Sequence, residues 1–201
     1  MLSWQAFGEG FDLRIMRRVH PGKAACAALM ACILVAGGAA RADDGSRVKA
    51  GELVATAIKM TDSQQALKLL WQATEIDPTY YEAYTYLGLY YNSRQDFAKV
   101  ADVYKRLVKY SPREASAYLN IGEAYLSFNP PKRDEALTYY RRAYEIDPRS
   151  SFAALRIGAI LAQQGNLEEA TRYLKQASAD TGRNAPLAAE ADKILKQMGV
   201  M

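Results

Sequence analysis

Few side chains in this sequence could carry out covalent chemistry, and their positions limit what that chemistry could be. His20 is the only histidine, and Cys26 and Cys32 are the only cysteines, in a chain of 201 residues. The two cysteines lie in an apolar run from Ala24 to Ala40, and the histidine shortly precedes it. Beyond this segment the sequence therefore has no thiolate nucleophile, no disulfide and no Cys/His metal site.

Two glutamates remain as candidates for acid–base chemistry. Glu82 and Glu123 could face one groove, and a pair of carboxylates is the arrangement that hydrolyses glycosidic bonds. No other residue pattern supports such a reaction. We therefore predict that the protein is not an enzyme and that it has no catalytic residue, no metal site and no cofactor.

The N-terminal segment has the order of a secretory signal, with a basic region, an apolar region and a small-residue cleavage site. The basic residues before the apolar run and the alanines before the cleavage site are Arg17, Arg18, Lys23, Ala40 and Ala42. We expect residues 1–42 to be a signal peptide, with Met16 as a possible true start. The remaining chain would then be periplasmic or secreted.

Two other uses of this segment are open. It could stay as a membrane anchor, although the apolar run is short for a span of about 20 residues. Leu29-Met30-Ala31-Cys32 also resembles a bacterial lipobox. In that case Cys32 would carry a lipid, and the protein would be a lipid-anchored assembly factor of the cell envelope.

The charge balance argues against a nucleic-acid partner. The formal net charge of the whole sequence is +4. Residues 43–201 hold 21 basic and 20 acidic residues, and they contain no basic run. The electrostatic pattern of a nucleic-acid-binding domain is therefore missing.

A repeat of about 34 residues runs through the chain. Prolines and glycines recur at steps of 34 and then 36 residues, and small residues recur at steps of 34, 36 and 34. The three series are Pro78, Pro112 and Pro148; Gly88, Gly122 and Gly158; and Ala66, Val100, Ala136 and Ala170. The two additional residues of the longer step fall at Asn129-Pro130-Pro131, where we predict a loop.

The repeated segments resemble the tetratricopeptide repeat family. The second repeat has Tyr84-x2-Leu87-Gly88-x2-Tyr91, then Val100-x3-Tyr104 and Pro112, and the third and fourth have the same pattern. A weaker first copy begins near Ala50. The resemblance covers about residues 47–184 and implies an all-α fold, a right-handed superhelical α-solenoid of helix–turn–helix repeats.

Elementary sterics explains the recurring residues. A glycine inside a helix costs about 1 kcal/mol, but the missing Cβ allows a second helix to approach closely. The prolines are expected to end each second helix, because proline has no backbone N–H to donate. No single helix pair can cover its own apolar face, so the pairs must stack.

We predict four repeats followed by a terminal helix. The repeats are expected at about 47–80, 81–114, 115–150 and 151–184, and a capping helix at 185–201. Asn184 would cap that helix, with Pro186 in its first turn. Asp192 stands where a further repeat would need glycine or alanine.

In the resembled family the first helices of the repeats line a concave groove that holds a partner. The residues one position along from the apolar stripe are therefore our candidate partner-binding residues. They are Glu82, Thr85, Tyr86, Leu89, Leu119, Asn120, Glu123, Phe152, Leu155 and Arg156. We expect them to bind a peptide or helix of another protein, which makes this chain a scaffold or adaptor; self-association into a structural scaffold is the alternative.

The same resemblance includes members that grip a C-terminal carboxylate with a set of Lys, Asn and Arg side chains. Asn120 and Arg156 match two of those positions. Thr85, Leu89 and Phe152 occupy positions where Lys or Asn would be needed, so we do not predict that ligand. The charged stretches Lys132–Glu135, Arg141-Arg142 and Lys105-Arg106 are expected to be solvated helix faces.

Overall fold

The computed structural model describes residues 44–180, 182 and 184–200, and these residues form nine α-helices and no strand. The helices in chain order are α1 (Asp44–Ala57), α2 (Ser63–Ile76), α3 (Tyr81–Ser93), α4 (Phe97–Tyr110), α5 (Ala115–Leu126), α6 (Arg133–Ile146), α7 (Ser151–Gln163), α8 (Leu167–Ser178) and α9 (Ala185–Gln197). The all-α prediction is confirmed. The segment expected to be a signal peptide lies outside the described residues. None of the helices described is long and apolar enough to cross a membrane.

Proline and short polar side chains set the helix boundaries. The helices α2, α4 and α6 each end two residues before a proline, at Pro78, Pro112 and Pro148. This is the predicted effect of a residue that disfavours helix in its neighbour and cannot donate a backbone hydrogen bond. At the opposite ends, Asp62 Oδ1 accepts the Gln64 backbone N–H at 2.8 Å. Such caps satisfy backbone donors that have no partner inside the helix.

The described residues divide into two compact units. In the first, residues 44–93, α1 pairs with α2 and α3 packs against α2. In the second, which begins at residue 94, α4 packs against α5, and α5–α6 and α7–α8 form two helix pairs in contact through α6 and α7. The last helix, α9, packs on α8 and α7.

The corner after α2 holds the first unit together. Asp77 is buried, and its Oδ1 accepts the backbone N–H and the hydroxyl of Thr79 at 2.9 and 2.6 Å. The Arg47 guanidinium on α1 lies 4.0 Å from Asp77 Oδ2 and over the ring of Tyr80. The hydroxyl of buried Tyr84 donates to the Pro78 carbonyl at 3.0 Å. These contacts fix α1 and α3 to the same corner.

Two glycines set the close approach within the helix pairs of the second unit. A Cβ built on Gly122 of α5 would lie 2.7 Å from the ring of Tyr140 on α6. A Cβ on Gly158 of α7 would lie 2.7 Å from Leu174 Cγ on α8. Both distances are far shorter than a van der Waals contact. The predicted role of the glycines, to admit the second helix, is confirmed at these two positions.

The loop between α5 and α6 is where the repeat spacing predicts it. Six residues, 127–132, separate α5 from α6, whereas three, 164–166, separate α7 from α8, so the predicted loop at Asn129-Pro130-Pro131 is confirmed. The repeat pattern places six tyrosines at core positions. Three of them are buried, namely Tyr84, Tyr104 and Tyr140, and three are only partly buried, namely Tyr91, Tyr118 and Tyr125.

The terminal helix begins as predicted but is held differently. Asn184 precedes α9 and a proline stands in its first turn, yet the Asn184 side chain makes no capping hydrogen bond. Its amide instead donates to Asp180 Oδ2. Asp192, at the position where the repeats have glycine, accepts a hydrogen bond from the Ser178 hydroxyl. At this position α9 therefore contacts α8 through a polar side chain, whereas the repeats have a glycine.

Replacing Gly122 with alanine should destabilise the protein by about 1–3 kcal/mol, because the added methyl group overlaps the buried Tyr140 ring. Urea denaturation followed by circular dichroism measures this loss. The control is Gly182→Ala, since a Cβ there meets nothing within 4 Å. Equal stability of the two variants would show that the close approach is unimportant.

Candidate functional site

Three of the predicted partner-binding residues of the second unit come together around one ion pair. Arg156 on α7 donates from Nε to Glu123 Oε1 at 2.8 Å and from Nη2 to Oε2 at 3.0 Å. This two-bond geometry is the strongest that arginine and a carboxylate can make. The Arg156 Cζ lies 5.0 Å from the centre of the Phe152 ring, one turn earlier on α7. The helix spacing of four residues places the ring under the guanidinium.

A buried tyrosine completes this group. The Tyr140 side chain crosses Gly122, and its hydroxyl donates to Glu123 Oε1. Burial, and then the negative charge of Glu123, raises the pKa of Tyr140 far above its usual value. Glu123, Tyr140, Phe152 and Arg156 are called the Arg156 cluster below. The repeat pattern places Tyr140 in the core and does not reveal its role as a hydrogen-bond donor to Glu123.

The Arg156 cluster is ordered but remains accessible. The side chains of Arg156 and Glu123 are 29% and 23% exposed. Phe152 and Leu119 are partly buried and pack against the core of the second unit. The surface therefore offers both apolar area and charge in fixed positions. Asn120 is also partly buried, on the same helix as Glu123.

Arg156 is influenced by two negatively charged side chains. Burial lowers the pKa of the Arg156 guanidinium, but the negative charge of Glu123 raises it, and the net shift is upward. Glu190 on α9 is close enough to contribute in the same direction. Arg156 thus lies near two carboxylates, one of which it holds by hydrogen bonds.

Leu155 does not belong to this surface, and its assignment to the groove needs correction. It is 1% exposed and lies in the same core cluster as Leu195 of α9. Three helices, α6, α8 and α9, pack against α7, whereas α5 packs against α4 and α6. Leu119 on α5 is therefore only partly buried, whereas Leu155 at the corresponding position of α7 is enclosed.

The first unit holds the other four predicted residues on α3. Glu82, Thr85, Tyr86 and Leu89 are all partly buried. The Thr85 hydroxyl donates to the Tyr81 carbonyl at 3.2 Å, so it is engaged within its own helix. Burial, and then the charge of Glu82, raises the pKa of Tyr86. Glu82 thus lies near a tyrosine, and no feature of this group indicates a catalytic pair.

Lysine and aromatic side chains form a further cluster that the sequence pattern did not reveal. The Lys105 ammonium donates to the Tyr125 hydroxyl at 2.8 Å, and this hydrogen bond raises the pKa of Lys105. The Tyr125 ring stacks with Phe128 and with Tyr139 at centroid distances of 5.7 and 5.5 Å. The prediction that Lys105 is simply solvated is therefore wrong.

The second helices carry a different kind of surface. Arg141 on α6 donates two hydrogen bonds to Glu169 on α8, at 2.9 and 3.1 Å. Arg142 pairs with Glu145 at 2.8 Å within α6. These pairs are exposed, as predicted for a solvated face. In the described part of the chain, no three His, Cys, Asp or Glu side chains are grouped so that they could hold a metal ion.

Comparison with known proteins supports the fold. Two family models described as tetratricopeptide repeat match residues 95–151 and 132–194. A thermophilic tetratricopeptide repeat protein of Thermus thermophilus has a TM-score of 0.54 and 21% identity, over 75% of this chain and 84% of that chain. The TPR2B domain of yeast Sti1, in a complex with pHsp70, has a TM-score of 0.52 and 22% identity, over 59% of this chain and 94% of that chain. With the nine helices described above, these matches confirm the predicted tetratricopeptide-type α-solenoid.

Curated relatives are longer and match only in part. Anaphase-promoting complex subunit 3 of Schizosaccharomyces pombe is 27% identical over 58% of this chain and 17% of its own length. Mitochondrial import receptor subunit TOM70 of Rattus norvegicus is 27% identical over 61% of this chain and 20% of its own length. The chain therefore spans about a fifth or less of the length of these relatives.

Removing the Tyr140 hydroxyl should loosen the Arg156 cluster without a packing defect. We expect Tyr140→Phe to lower the free energy of unfolding by about 1.5–3 kcal/mol, since a hydrogen bond to a charged group is lost. Tyr118→Phe is the control, because the Tyr118 hydroxyl makes an exposed hydrogen bond of 3.3 Å to the Pro112 carbonyl. That substitution should change stability by less than about 0.5 kcal/mol.

The raised pKa of Tyr140 also predicts a pH dependence. Above about pH 10 an unfolded tyrosine loses its proton, whereas folded Tyr140 retains it. The unfolded state is then favoured, so stability falls as the pH rises from about 10. In denaturation curves between pH 9 and 11, Tyr140→Phe should reduce this slope by up to about 1.4 kcal/mol per pH unit. An unchanged slope would contradict the assignment.

Proposed function

Family models and solved structures support the tetratricopeptide repeat family for this chain, and from that premise we propose that it is a non-catalytic protein-interaction scaffold acting outside the cytoplasm. In this proposal a peptide or helix of another protein binds on the first helices of the second unit, at the Arg156 cluster. Binding would use apolar contact with Phe152 and Leu119 and polar contact with the charged pair.

The observation that carries this proposal is that the Arg156 cluster is fixed and yet exposed in part. Binding a partner costs the conformational entropy of each side chain that becomes ordered. In the cluster that ordering is already present, because Arg156 is held by Glu123 and lies on Phe152. Aromatic and arginine side chains are also the types that contribute most to protein interfaces.

The second helices are a poorer candidate for the same role. Arg141 and Glu169 lie across two neighbouring helices and satisfy each other there. Exposed pairs of this kind contribute little to stability and must be broken or bridged by an incoming partner. Among the similar proteins, the Sti1 domain is in a complex with pHsp70, and the fission-yeast relative is a subunit of the anaphase-promoting complex. Their names accord with a role in protein assembly.

A hydrolytic role is less well supported than binding. Glu123, the better placed of the two glutamates considered, accepts hydrogen bonds from Arg156 and from Tyr140. Both oxygens of this carboxylate accept hydrogen bonds from protein side chains, so neither is left to hold a water molecule or a glycosidic oxygen.

Export is the second part of the proposal. It rests on the order of the N-terminal sequence, a basic region followed by an apolar run and then Ala40-Arg41-Ala42. A protein without cysteine after this segment needs no oxidative folding outside the cytoplasm. The described helices bury an apolar core that would stabilise it there without disulfides.

Partner capture tests the binding face with a matched pair of variants. Phe152→Ala removes a partly buried ring that lies under Arg156, on a first helix. Tyr173→Ala removes a partly buried ring that lies 5.2 Å from the Arg172 guanidinium, on a second helix. We expect proteins captured by the wild type from its source cell to be lost with Phe152→Ala and kept with Tyr173→Ala, as measured by quantitative mass spectrometry. Equal retention by both variants would rule out the first-helix face.

The mass of the exported protein tests the signal. Expression of the full sequence in a bacterial host should yield a periplasmic or secreted product that begins at Asp43, and Ala42→Tyr should block this cleavage. Intact-protein mass spectrometry distinguishes the alternatives. A lipid-modified product beginning at Cys32, or an uncut chain in the membrane fraction, would contradict the proposed processing.

A further inference from the structure

We propose that Glu123 determines which partners the Arg156 cluster accepts, by occupying Arg156 so that acidic ligands are excluded and basic segments are preferred. This inference rests on the proposed function and specifies the chemistry of the partner. It follows from three features of the second unit: the bonds between Glu123 and Arg156, the position of Tyr140, and the presence of Glu190 near the same guanidinium.

The first feature is that Glu123 takes the donors with which Arg156 would bind a carboxylate. An arginine binds a carboxylate best with two parallel N–H groups on one edge of the guanidinium. In this chain the Nε and Nη2 edge already binds Glu123 at 2.8 and 3.0 Å. An acidic partner would have to displace Glu123 or bind the remaining N–H groups beside a like charge.

The second feature is that the Glu123 side chain cannot rotate away from Arg156 without breaking another hydrogen bond. Its Oε1 also accepts the hydroxyl of Tyr140, whose ring is buried against Gly122. Tyr140 is 0% exposed, so its hydroxyl position is fixed by the packing of α6 on α5. Displacing Glu123 would leave a hydroxyl without its acceptor in a largely buried position, which is costly.

The third feature is the excess of negative charge. Glu123 neutralises Arg156, and Glu190 adds a second carboxylate close to the same guanidinium. Within the described part of the chain, the Glu190 side chain makes no hydrogen bond or ion pair. These three charged groups sum to −1. Phe152, whose ring lies under the same guanidinium, therefore has near it a carboxylate that could pair with a lysine or arginine of a partner.

The occupant that fits this surface is a segment of another protein with apolar side chains and a neighbouring basic side chain. The apolar side chains would cover Phe152 and Leu119, and the basic one would pair with Glu190. Charge complementarity of this kind contributes more to the choice of partner than to the total affinity. An acidic segment of the same shape would meet Glu190 and Glu123 with like charge.

Two synthetic probes test the preference directly. Both are short peptides with blocked ends, labelled with fluorescein and built on the same leucine and alanine framework. One carries lysine and the other glutamate at the same positions. Fluorescence anisotropy at low ionic strength should show that the wild type binds the lysine probe roughly tenfold or more tightly than the glutamate probe.

The variants separate Glu123 from general charge effects. Glu123→Gln should raise affinity for the glutamate probe and reduce the preference to near unity, because Arg156 is then unmasked. Glu190→Gln should weaken binding of the lysine probe and leave binding of the glutamate probe unchanged or stronger. The matched control is Glu169→Gln, which removes the same charge and frees Arg141 from a two-bond pair on the second-helix face. That variant should retain the wild-type preference, and circular dichroism verifies folding in each case.

The outcomes distinguish this inference from the proposed function. The inference is overturned if the wild type binds both probes equally, if it does not bind the lysine probe, or if Glu123→Gln and Glu169→Gln change the preference to the same extent. Suppose that the wild type binds the lysine probe but without the predicted preference. If Phe152→Ala then abolishes this binding, the first-helix face still binds partners and only the role of Glu123 fails. If Phe152→Ala leaves the binding of both probes unchanged, the proposed function itself fails.

Discussion

The approach of a second-helix side chain to the bare backbone of a first helix is the constraint on which the second unit depends. Tyr140 reaches Gly122, and Leu174 reaches Gly158, at distances that no Cβ would allow. Protein interiors are packed as densely as organic crystals, so this spacing fixes how each pair can stack on the next. At Gly122 the close approach of the two helices has a second effect. The ring that fills the space carries a hydroxyl, and this hydroxyl reaches the carboxylate of the next residue, Glu123. The core thereby positions a charged group at the surface.

The two sides of the second unit differ in what their charged groups do. On the second helices, pairs such as Arg141 with Glu169 are held mainly by each other and face solvent. On the first helices, the pair of Glu123 with Arg156 is also held from beneath, by a buried hydroxyl and by an aromatic ring. Such support restricts the geometry of an ion pair more than mutual attraction alone, since an exposed pair must pay the full entropy cost of ordering two long side chains. This difference, more than the number of charges, distinguishes a surface suited to recognition from a solvated one.

Much of the fold could be predicted from spacing alone, because the constraints that produce it are local. Proline positions predicted the ends of α2, α4 and α6, and the step of the glycines predicted the paired helices. The site was predicted less completely. The helical period correctly brought Glu123, Phe152 and Arg156 to one surface. It could not predict that Glu123 and Arg156 bind each other, since they lie 33 residues apart and the contact depends on how two repeats stack. It also misplaced Leu155, because burial of that residue accompanies the packing of α9 on α7.

Asp192 has a consequence for how such an array could lengthen. At Gly122 and Gly158 the absence of a side chain lets the next helix settle against the backbone, whereas Asp192 carries a side chain at this position and accepts a hydrogen bond from the Ser178 hydroxyl of α8. A helix following α9 could not approach it as α6 approaches α5. Duplication of a repeat at this end would need simultaneous replacement of the aspartate and of its serine partner, since either change alone leaves a polar group without its hydrogen bond. In evolutionary terms, insertion of new repeats is easier within the array than beyond α9.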